Sequence, residues 1–145
     1  MRHIPQMVAV MTPFPYHIAA DATLAAAVAM MDEHDIRHLP VLERGDIVGI
    51  LSERDLERAK IPGHPLREEI ELRVGDLCTQ RPYFVDVSDP LDRVLDTLVE
   101  KHIGSALVLK EGELVGVFTA ADACQLLARM LRDHFAPPAP GTEAA

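Results

Sequence analysis

The sequence predicts an α+β fold, in which two tandem β-α-β-β-α repeats are related by a pseudo-two-fold axis and form one compact module. The chain aligns with itself without a gap at an offset of 67 positions, which places Leu24 on Leu91 and Asp55 on Asp122. In each half, an apolar helical stripe is followed by two short runs rich in β-branched residues. A fixed internal period indicates a unit that buries its apolar face against its twin, so functional residues are expected at the seam.

The length and composition indicate how the repeats are organised. The chain has 145 residues, 48% of them hydrophobic, which suits a single domain in which both repeats share one core. Repeat one is expected at residues 7–61 and repeat two at residues 74–135. Residues 62–73 are predicted to be a linker, because prolines and a glycine interrupt the helical pattern there. The tail, residues 136–145, has little to bury and is predicted to be disordered.

Charge and cysteine content narrow the classes of partner. A net charge of −9 argues against nucleic acid or an anionic membrane as the main partner. Cys78 and Cys124 have no C-x-x-C spacing, which argues against a disulfide framework, and Cys124 is expected to be packed within an apolar helical stripe. Without a signal-peptide pattern or an apolar run long enough to cross a bilayer, the protein is predicted to be soluble and cytoplasmic.

The first helix of each repeat follows from its apolar spacing. In repeat one, Asp21 is predicted to cap a helix that runs to about Asp35. In repeat two, Ser88 or Asp89 is predicted to be the cap, with Pro90 in the first turn. Both helices place apolar residues at i, i+3, i+4 and i+7: Leu24, Ala27, Val28 and Met31 in the first, and Leu91, Val94, Leu95 and Leu98 in the second.

Each helix is followed by a predicted β-hairpin and a second helix. The hairpin turns are Arg44-Gly45 and Glu111-Gly112, since glycine readily adopts a positive φ. Pro40 lacks an N–H group, so it is expected at a strand start or on a sheet edge. The second helix is short in repeat one, at residues 53–60, and longer in repeat two, at residues 120–135.

The residues on which the two halves agree best resemble a known family. Each half carries M/C-T at residues 11–12 and 78–79, then I-R-H-L-P-V-L or I-G-S-A-L-V-L at residues 36–42 and 103–109. Each then carries G-x-x-S/T-x-x-D at residues 49–55 and 116–122. Over residues 7–131 the chain resembles a pair of cystathionine-β-synthase (CBS) domains, the tandem unit called a Bateman module. Repeat one is most similar to stand-alone bacterial CBS-pair proteins of the acetoin-utilisation type.

The resemblance implies a regulatory sensor that binds adenosyl ligands, namely AMP, ADP, ATP or S-adenosylmethionine, in clefts between the repeats. Such a module needs no further cofactor and signals through a dimer or partner surface. The ligand-binding positions that the resemblance implies are Thr12, Ile18, Arg37, His38, Leu39, Pro40, Ser52, Arg54, Asp55, Thr79, Val85, Gly104, Ser105, Ala106, Thr119 and Asp122.

The S/T-x-x-D motif has chemistry that suits an adenosine ligand. A hydroxyl at the end of a strand, from Ser52 or Thr119, lies beside the free amides of a helix N-terminus, which attract phosphate. A carboxylate three residues later, from Asp55 or Asp122, accepts hydrogen bonds from ribose hydroxyls. The alternative is purely structural, with the hydroxyls as N-caps and the acids as first-turn residues that stabilise the helix dipole.

The two predicted sites differ in charge. Site one has Arg37, His38 and Arg54 nearby, and the matching positions of repeat two are Gly104, Ser105 and Ala121. Site one is therefore predicted to prefer ligands with more phosphate charge, and site two AMP or a sulfonium-bearing adenosyl ligand. The alternative is that Arg37 and Arg54 are solvated surface charges and that His38 is an outward-facing residue of an alternating strand.

Other functions have less support from the sequence. The histidines, including His34, His38 and His102, show no paired metal-ligand spacing, so no metal site is predicted. No Ser/His/Asp or Cys/His arrangement has local support, so the chain is not expected to be an enzyme. A homodimer is expected, because the helices carry more apolar surface than one module buries. The alternative function is a ligand-free CBS-pair scaffold for dimerisation.

Overall fold

The computed structural model describes residues 2–60 and 72–141. Within this part of the chain, each half has the predicted β-α-β-β-α order, preceded by a four-residue helix and, in repeat one, by a two-residue strand that the sequence did not predict. Repeat one contains α1 (Met7–Val10), β1 (Thr12–Pro13), β2 (Ile18–Ala19), α2 (Leu24–His34), β3 (His38–Glu43), β4 (Asp46–Ser52) and α3 (Glu53–Arg58). Repeat two contains α4 (Val74–Leu77), β5 (Phe84–Asp86), α5 (Leu91–Lys101), β6 (Ser105–Lys110), β7 (Glu113–Thr119) and α6 (Ala120–His134).

The strands form two sheets. Repeat one contributes a three-stranded sheet of order β2-β3-β4, and repeat two a four-stranded sheet of order β1-β7-β6-β5. In both sheets the central hairpin is antiparallel and the short strand that precedes the helix is parallel to its neighbour. β1 belongs to the sheet of the other repeat, because it pairs antiparallel with β7. The α+β prediction is confirmed, with the sheets joined by this crossing strand.

The apolar residues form two cores, so the expectation of one shared core is wrong. The first cluster combines α2, β3 and β4 of repeat one with Val74 and Cys78 of repeat two. The second combines α5, β6 and β7 of repeat two with Met7 of repeat one, against which Val10 and Met11 also pack. Met7 and Val74 are fully buried. Each repeat therefore completes its core with the N-terminal segment of the other.

Backbone hydrogen bonds hold the two exchanged segments in place. Thr79 and Ile50 exchange N–H···O bonds of 2.9 and 3.0 Å, and Thr12 lies opposite Val117 in the equivalent position. At both contacts, a glycine allows the close approach. A Cβ at Gly49 would lie 2.5 Å from the Thr79 carbonyl oxygen. At Gly49 the two repeats are therefore in close backbone contact, with almost no space for a side chain.

The first helix of repeat one starts two residues later than predicted. Thr23, not Asp21, is the N-cap of α2, and its hydroxyl accepts a hydrogen bond of 3.1 Å from the Ala26 N–H. The helix cannot start earlier, because residues 22–23 are held against the exchanged segment: Thr23 pairs with Arg73, and the Val74 N–H donates to the Ala22 carbonyl.

The first helix of repeat two is displaced in the same way. Pro90 occupies the N-cap position of α5, so the predicted caps Ser88 and Asp89 are wrong. Pro90 pairs with Gln6, and the Leu91 N–H donates to the Pro5 carbonyl. The extended backbone before each helix is thus imposed by the opposite repeat, which no local pattern in the sequence reveals.

The predicted hairpin turns are confirmed. Arg44 and Gly45 have φ values of 53° and 83°, and Glu111 and Gly112 have 52° and 80°. Two consecutive positive φ angles match the twist of the flanking strands.

Pro40 lies inside β3, which is the central strand of its sheet, and not at a strand start or on an edge as predicted. β2 is only two residues long and pairs with β3 at Val41 and the residue after it, beyond Pro40. In repeat two the equivalent Leu107 donates its N–H to Tyr83 and pairs with a three-residue strand. Since proline lacks that donor, it accounts for the shorter β2.

The cysteines are both free, but their surroundings differ from the prediction. Cys124 is exposed on α6, so the expectation that it is packed is wrong. The helical stripe to which it belongs faces outward along much of α6, which has no buried residue. Cys78 is the buried cysteine. Its sulfur lies beside Gly49 at the seam, and burial raises the pKa of its thiol.

Replacing Gly49 by alanine is expected to lower the free energy of unfolding by about 1–3 kcal/mol, because the new Cβ would overlap the Thr79 backbone. Gly116→Ala should cost less, because its nearest neighbour is the flexible side chain of Met11. Urea denaturation measures both. Gly104→Ala is the matched control, since its Cβ would have no neighbour closer than 3.8 Å. An equal loss for Gly49→Ala and Gly104→Ala would contradict the close contact at the seam.

Candidate functional site

A cleft of about 580 Å³ opens at the seam where helices α3 and α6 begin, and we call it the seam cleft. Repeat one provides the start of β3 and the first turns of α3. Repeat two provides the segment before β5, the residues before β6 and the start of α6. The residues that line the cleft are Arg37, His38, Ile50, Ser52, Glu53, Arg54, Asp55, Glu57, Arg58, Thr79, Arg81, Pro82, Tyr83, His102, Ile103, Gly104, Ser105, Ala120 and Ala121.

The S/T-x-x-D motifs form reciprocal caps on the two helices. The Asp55 N–H donates to the Ser52 hydroxyl at 3.2 Å, while the Ser52 N–H and hydroxyl both donate to one Asp55 carboxylate oxygen at 2.9 Å. Thr119 and Asp122 make the matching pair of backbone contacts at 2.9 and 3.2 Å. The structural role of both motifs is thus present, and it also fixes where each hydroxyl and carboxylate lies.

Four arginines line the seam cleft, together with the carboxylates of Glu53, Asp55 and Glu57. Arg37 forms an ion pair with Glu53, and Arg58 forms one with Asp55 at 2.5 Å. Asp55 is only 4% exposed, so Arg58 supplies a partner for a buried carboxylate. Within residues 2–60 and 72–141, Arg54 and Arg81 take part in no ion pair. These two guanidinium groups are available to an anionic ligand.

His38 lines the seam cleft, half-buried, and its Nε2 would lie 3.8 Å from a Cβ at Gly104 of repeat two. Burial lowers the pKa of its imidazole, the carboxylates of Asp55 and Asp122 act in the opposite direction, and Arg54 lowers the pKa further. The pKa of His38, a side chain of repeat one, is therefore influenced by the capping aspartates of both repeats.

The predicted site residues fall into three groups. Eight of them line the seam cleft together: Arg37, His38, Ser52, Arg54, Asp55, Thr79, Gly104 and Ser105. Gly104 and Ser105, which the sequence grouped with site two, thus lie in the same cleft as Ser52 and Asp55. Thr12, Thr119 and Asp122 are not among the residues that line it.

The third group has buried side chains. The side chains of Ile18, Leu39, Pro40, Val85 and Ala106 are buried, so any contact with a ligand would come from their backbone atoms.

Several residues of the seam cleft were missed by the sequence interpretation. Arg58 and Arg81 add positive charge, and Tyr83 and His102 add ring surfaces. Arg58 lies three residues after Asp55, one helical turn away, and this spacing could have identified it. Arg81 follows Thr79 in the exchanged segment and reaches the cleft only because of the exchange.

A cation–π contact between Lys101 and Tyr83 supports the wall of the seam cleft. The Lys101 ammonium lies 5.4 Å from the centre of the Tyr83 ring. At the equivalent positions of repeat one, Tyr16 stacks on His34 with ring centres 3.7 Å apart. In both repeats, the segment before the parallel strand is thus attached to the last turn of the first helix.

The residues described, 2–60 and 72–141, contain neither a cluster of metal ligands nor a membrane-spanning helix. No three histidine, cysteine or acidic side chains in this part of the chain converge to hold a metal ion. No helix of the described residues is long and apolar enough to cross a bilayer.

The lowered pKa of His38 gives a testable pH dependence. Between this pKa and the ordinary histidine value of about 6.5, the unfolded chain binds more protons than the folded one. The free energy of unfolding should therefore decrease as the pH falls through about 6.5. His38→Gln should remove this part of the pH dependence, as measured by urea denaturation at several pH values. Identical pH profiles for the two proteins would contradict it.

Comparison with known proteins identifies the family. Residues 7–61 and 74–129 each match the CBS domain. Hypoxic response protein 1 of Mycobacterium tuberculosis is 31% identical over 113 residues, which cover 77% of this chain and 75% of that protein.

Solved structures of CBS domain pairs share the fold. The CBS domain pair of protein MJ0100, in complex with 5′-methylthioadenosine and S-adenosyl-L-methionine, has a TM-score of 0.77 at 20% identity, covering 88% of this chain and 99% of that chain. The protein AcuB from Vibrio cholerae, whose name refers to acetoin utilization, has a TM-score of 0.75 at 23% identity, with coverage of 93% and 100%. CBSX2 in complex with AMP has a TM-score of 0.74 at 22% identity, with coverage of 88% and 99%. Matched twice along its length and folded as these pairs are, the chain belongs to the CBS domain family as a tandem pair.

Proposed function

We propose that this protein is a regulatory module that binds an adenosyl ligand, either an adenine nucleotide or S-adenosylmethionine, at the seam between its repeats. Binding alters a dimer or partner surface, and the module catalyses no reaction. The proposal places it in the cytoplasm, where such ligands are abundant. The observation that carries it is the convergence of the Ser52–Asp55 cap, four arginines and the small residues Gly104 and Ser105 in one cleft.

The volume and chemistry of the seam cleft suit a nucleotide. A volume of about 580 Å³ lies within the range of roughly 300–1,000 Å³ that small-molecule sites occupy. Arg54 and Arg81 offer charge-assisted hydrogen bonds to phosphate oxygens. Gly104 has no side chain, and a Cβ at this position would be in ordinary contact with His38 Nε2, at 3.8 Å.

The solved relatives support an adenosyl ligand. Two of them contain one, since MJ0100 binds 5′-methylthioadenosine and S-adenosyl-L-methionine and CBSX2 binds AMP. For this chain, Arg54 and Arg81, which take part in no ion pair among the described residues, favour a ligand that carries phosphate. We therefore propose for the seam cleft as a whole the preference predicted for site one, toward ligands with more phosphate charge. The preference of site two for AMP or a sulfonium ligand stays a prediction.

Gly104→Leu is expected to abolish nucleotide binding without unfolding the protein, because Gly104 lines the seam cleft and a Cβ there would meet no atom closer than 3.8 Å. In thermal shift assays, ligand at about 100 times its Kd should stabilise the wild type by roughly 2.7 kcal/mol, a shift of several degrees. Calorimetry with AMP, ADP, ATP and S-adenosylmethionine would give the affinities. Arg54→Ala and Arg81→Ala should weaken ATP binding more than AMP binding.

Two controls separate blocked binding from general damage. Ala29→Leu adds the same side chain at an exposed position of α2, and Arg93→Ala removes an exposed arginine of α5. Both should bind as the wild type does. If no adenosyl ligand stabilises the wild type at millimolar concentration, the alternative function, a ligand-free dimerisation scaffold, is the better account.

The proposed dimer forms through helix α6. Leu127, Met130, Leu131 and Phe135, which lie along α6 and at its end, are 48–68% exposed. Three- and four-residue spacings place Leu127, Met130 and Leu131 on one face. Apolar side chains clustered on one helix face are typical of an interface, and a two-fold pair of α6 helices would cover them.

We expect the protein to sediment as a dimer at tens of micromolar. Leu127→Asp combined with Leu131→Asp should give monomers, because two carboxylates would then lie in the interface. Gln125→Asp, at another exposed position of α6, is the matched control and should remain dimeric. A monomeric wild type, or a double variant that still dimerises, would exclude this interface.

A further inference from the structure

A second groove, of about 660 Å³, lies at the other end of the seam, between the two hairpin turns, and we call it the turn groove. It is separate from the seam cleft, with which it shares no lining residue. Leu42 and Ile47 of repeat one and Leu109 and Leu114 of repeat two lie along its floor. These residues correspond in the repeat alignment, so the groove crosses the pseudo-two-fold axis with an apolar half on each side.

The turn groove is a surface feature. The four floor residues are half-buried, while Phe14 and Phe84 on its rim are 87% and 42% exposed. Phe14 has a φ of 49°, which is uncommon for a side chain of this size. Its N–H donates to the Val115 carbonyl at 3.0 Å, so the seam holds the backbone that presents the ring.

Carboxylates flank this apolar floor on both sides. Asp46 and Glu113 line the groove at equivalent positions, and both are exposed. Within residues 2–60 and 72–141 neither takes part in an ion pair, although Arg44 and Lys110 lie in the same hairpins. Glu43 is directly opposite Asp46 in the β3–β4 hairpin, and facing like charges repel each other, whereas Glu113 is opposite Lys110 in the β6–β7 hairpin. A cation in the groove would relieve that repulsion.

We propose that the turn groove is a docking site for a protein segment in which apolar side chains are flanked by lysine or arginine. The apolar floor favours leucine-like or aromatic side chains, and the carboxylates at its two sides favour a positive charge on each side of them. A free small molecule fits less well, because such ligands generally bury most of their surface and every residue that lines this groove is exposed or half-buried. A segment of a partner protein would instead contact the apolar residues of both repeats, on either side of the pseudo-two-fold axis.

The probe is a fluorescein-labelled, end-capped pentapeptide of lysine, leucine, phenylalanine, leucine and lysine, added to the full chain at 150 mM salt. Fluorescence polarisation should show saturable binding, and amide chemical shifts should change around Leu42, Ile47, Leu109 and Leu114. Asp46→Asn combined with Glu113→Gln should raise the Kd roughly three- to tenfold. Phe14→Ala should raise it about threefold or more, with an unchanged melting temperature, because the ring is mostly exposed.

Matched controls distinguish the groove from the general negative charge of the protein. Asp96→Asn combined with Glu100→Gln makes the same change of charge on exposed positions of α5 and should leave the Kd unchanged. A peptide with glutamate in place of lysine should not bind. Absence of binding at 1 mM, an equal loss in the α5 variant, or shifts located in the seam cleft would overturn the proposal. So would a loss of self-association in Phe14→Ala, since the occupant would then be a second copy of this chain.

Discussion

The reciprocal exchange of the two N-terminal segments is the constraint on which the other features of this structure depend. Met7 is fully buried in the core of repeat two, and Val74 is fully buried in the core of repeat one. Burial of an aliphatic side chain of this size contributes about 1.5–3 kcal/mol, so neither repeat retains its complete core without the other. The backbone pairing of Thr79 with Ile50 then fixes the distance between the halves, because Gly49 leaves room for nothing else.

The same contact explains why the polar and charged residues of the candidate site lie at the seam. Pairing at Thr79 carries the following residues, including Arg81 and Tyr83, to the cap of α3, where Ser52 and Asp55 lie. The wall of the seam cleft therefore comes from repeat two and the cap from repeat one. A cleft built in this way exists only while the repeats remain paired, so occupancy of the cleft and the geometry of the seam are physically linked.

The two repeats share the same backbone structure but differ in the side chains that line the cleft. Turns, capping boxes and strand registers match position by position, since each is required to bury the same apolar faces. The lining of the cleft does not match. Arg37 and His38 correspond to Gly104 and Ser105, so one half supplies charge and a titratable ring while the other supplies space. Apart from the capping residues Ser52 and Asp55, which serve both, the positions that maintain the fold and those that line the site are different.

Local patterns in the sequence determined much of this protein. The 67-residue offset, the apolar helical stripes and the glycine turns predicted two β-α-β-β-α repeats, because those signals depend on neighbours within a few residues. The S/T-x-x-D motifs likewise located both caps and part of the cleft. Only the tertiary structure decided that there are two cores, that Thr23 and Pro90 precede the helices, and that Arg81 reaches the cleft. Each of these depends on which repeat residues 7–13 and 74–79 pack against. The two segments have the same apolar pattern, so no local signal shows whether each packs in the core of its own repeat or in that of the other.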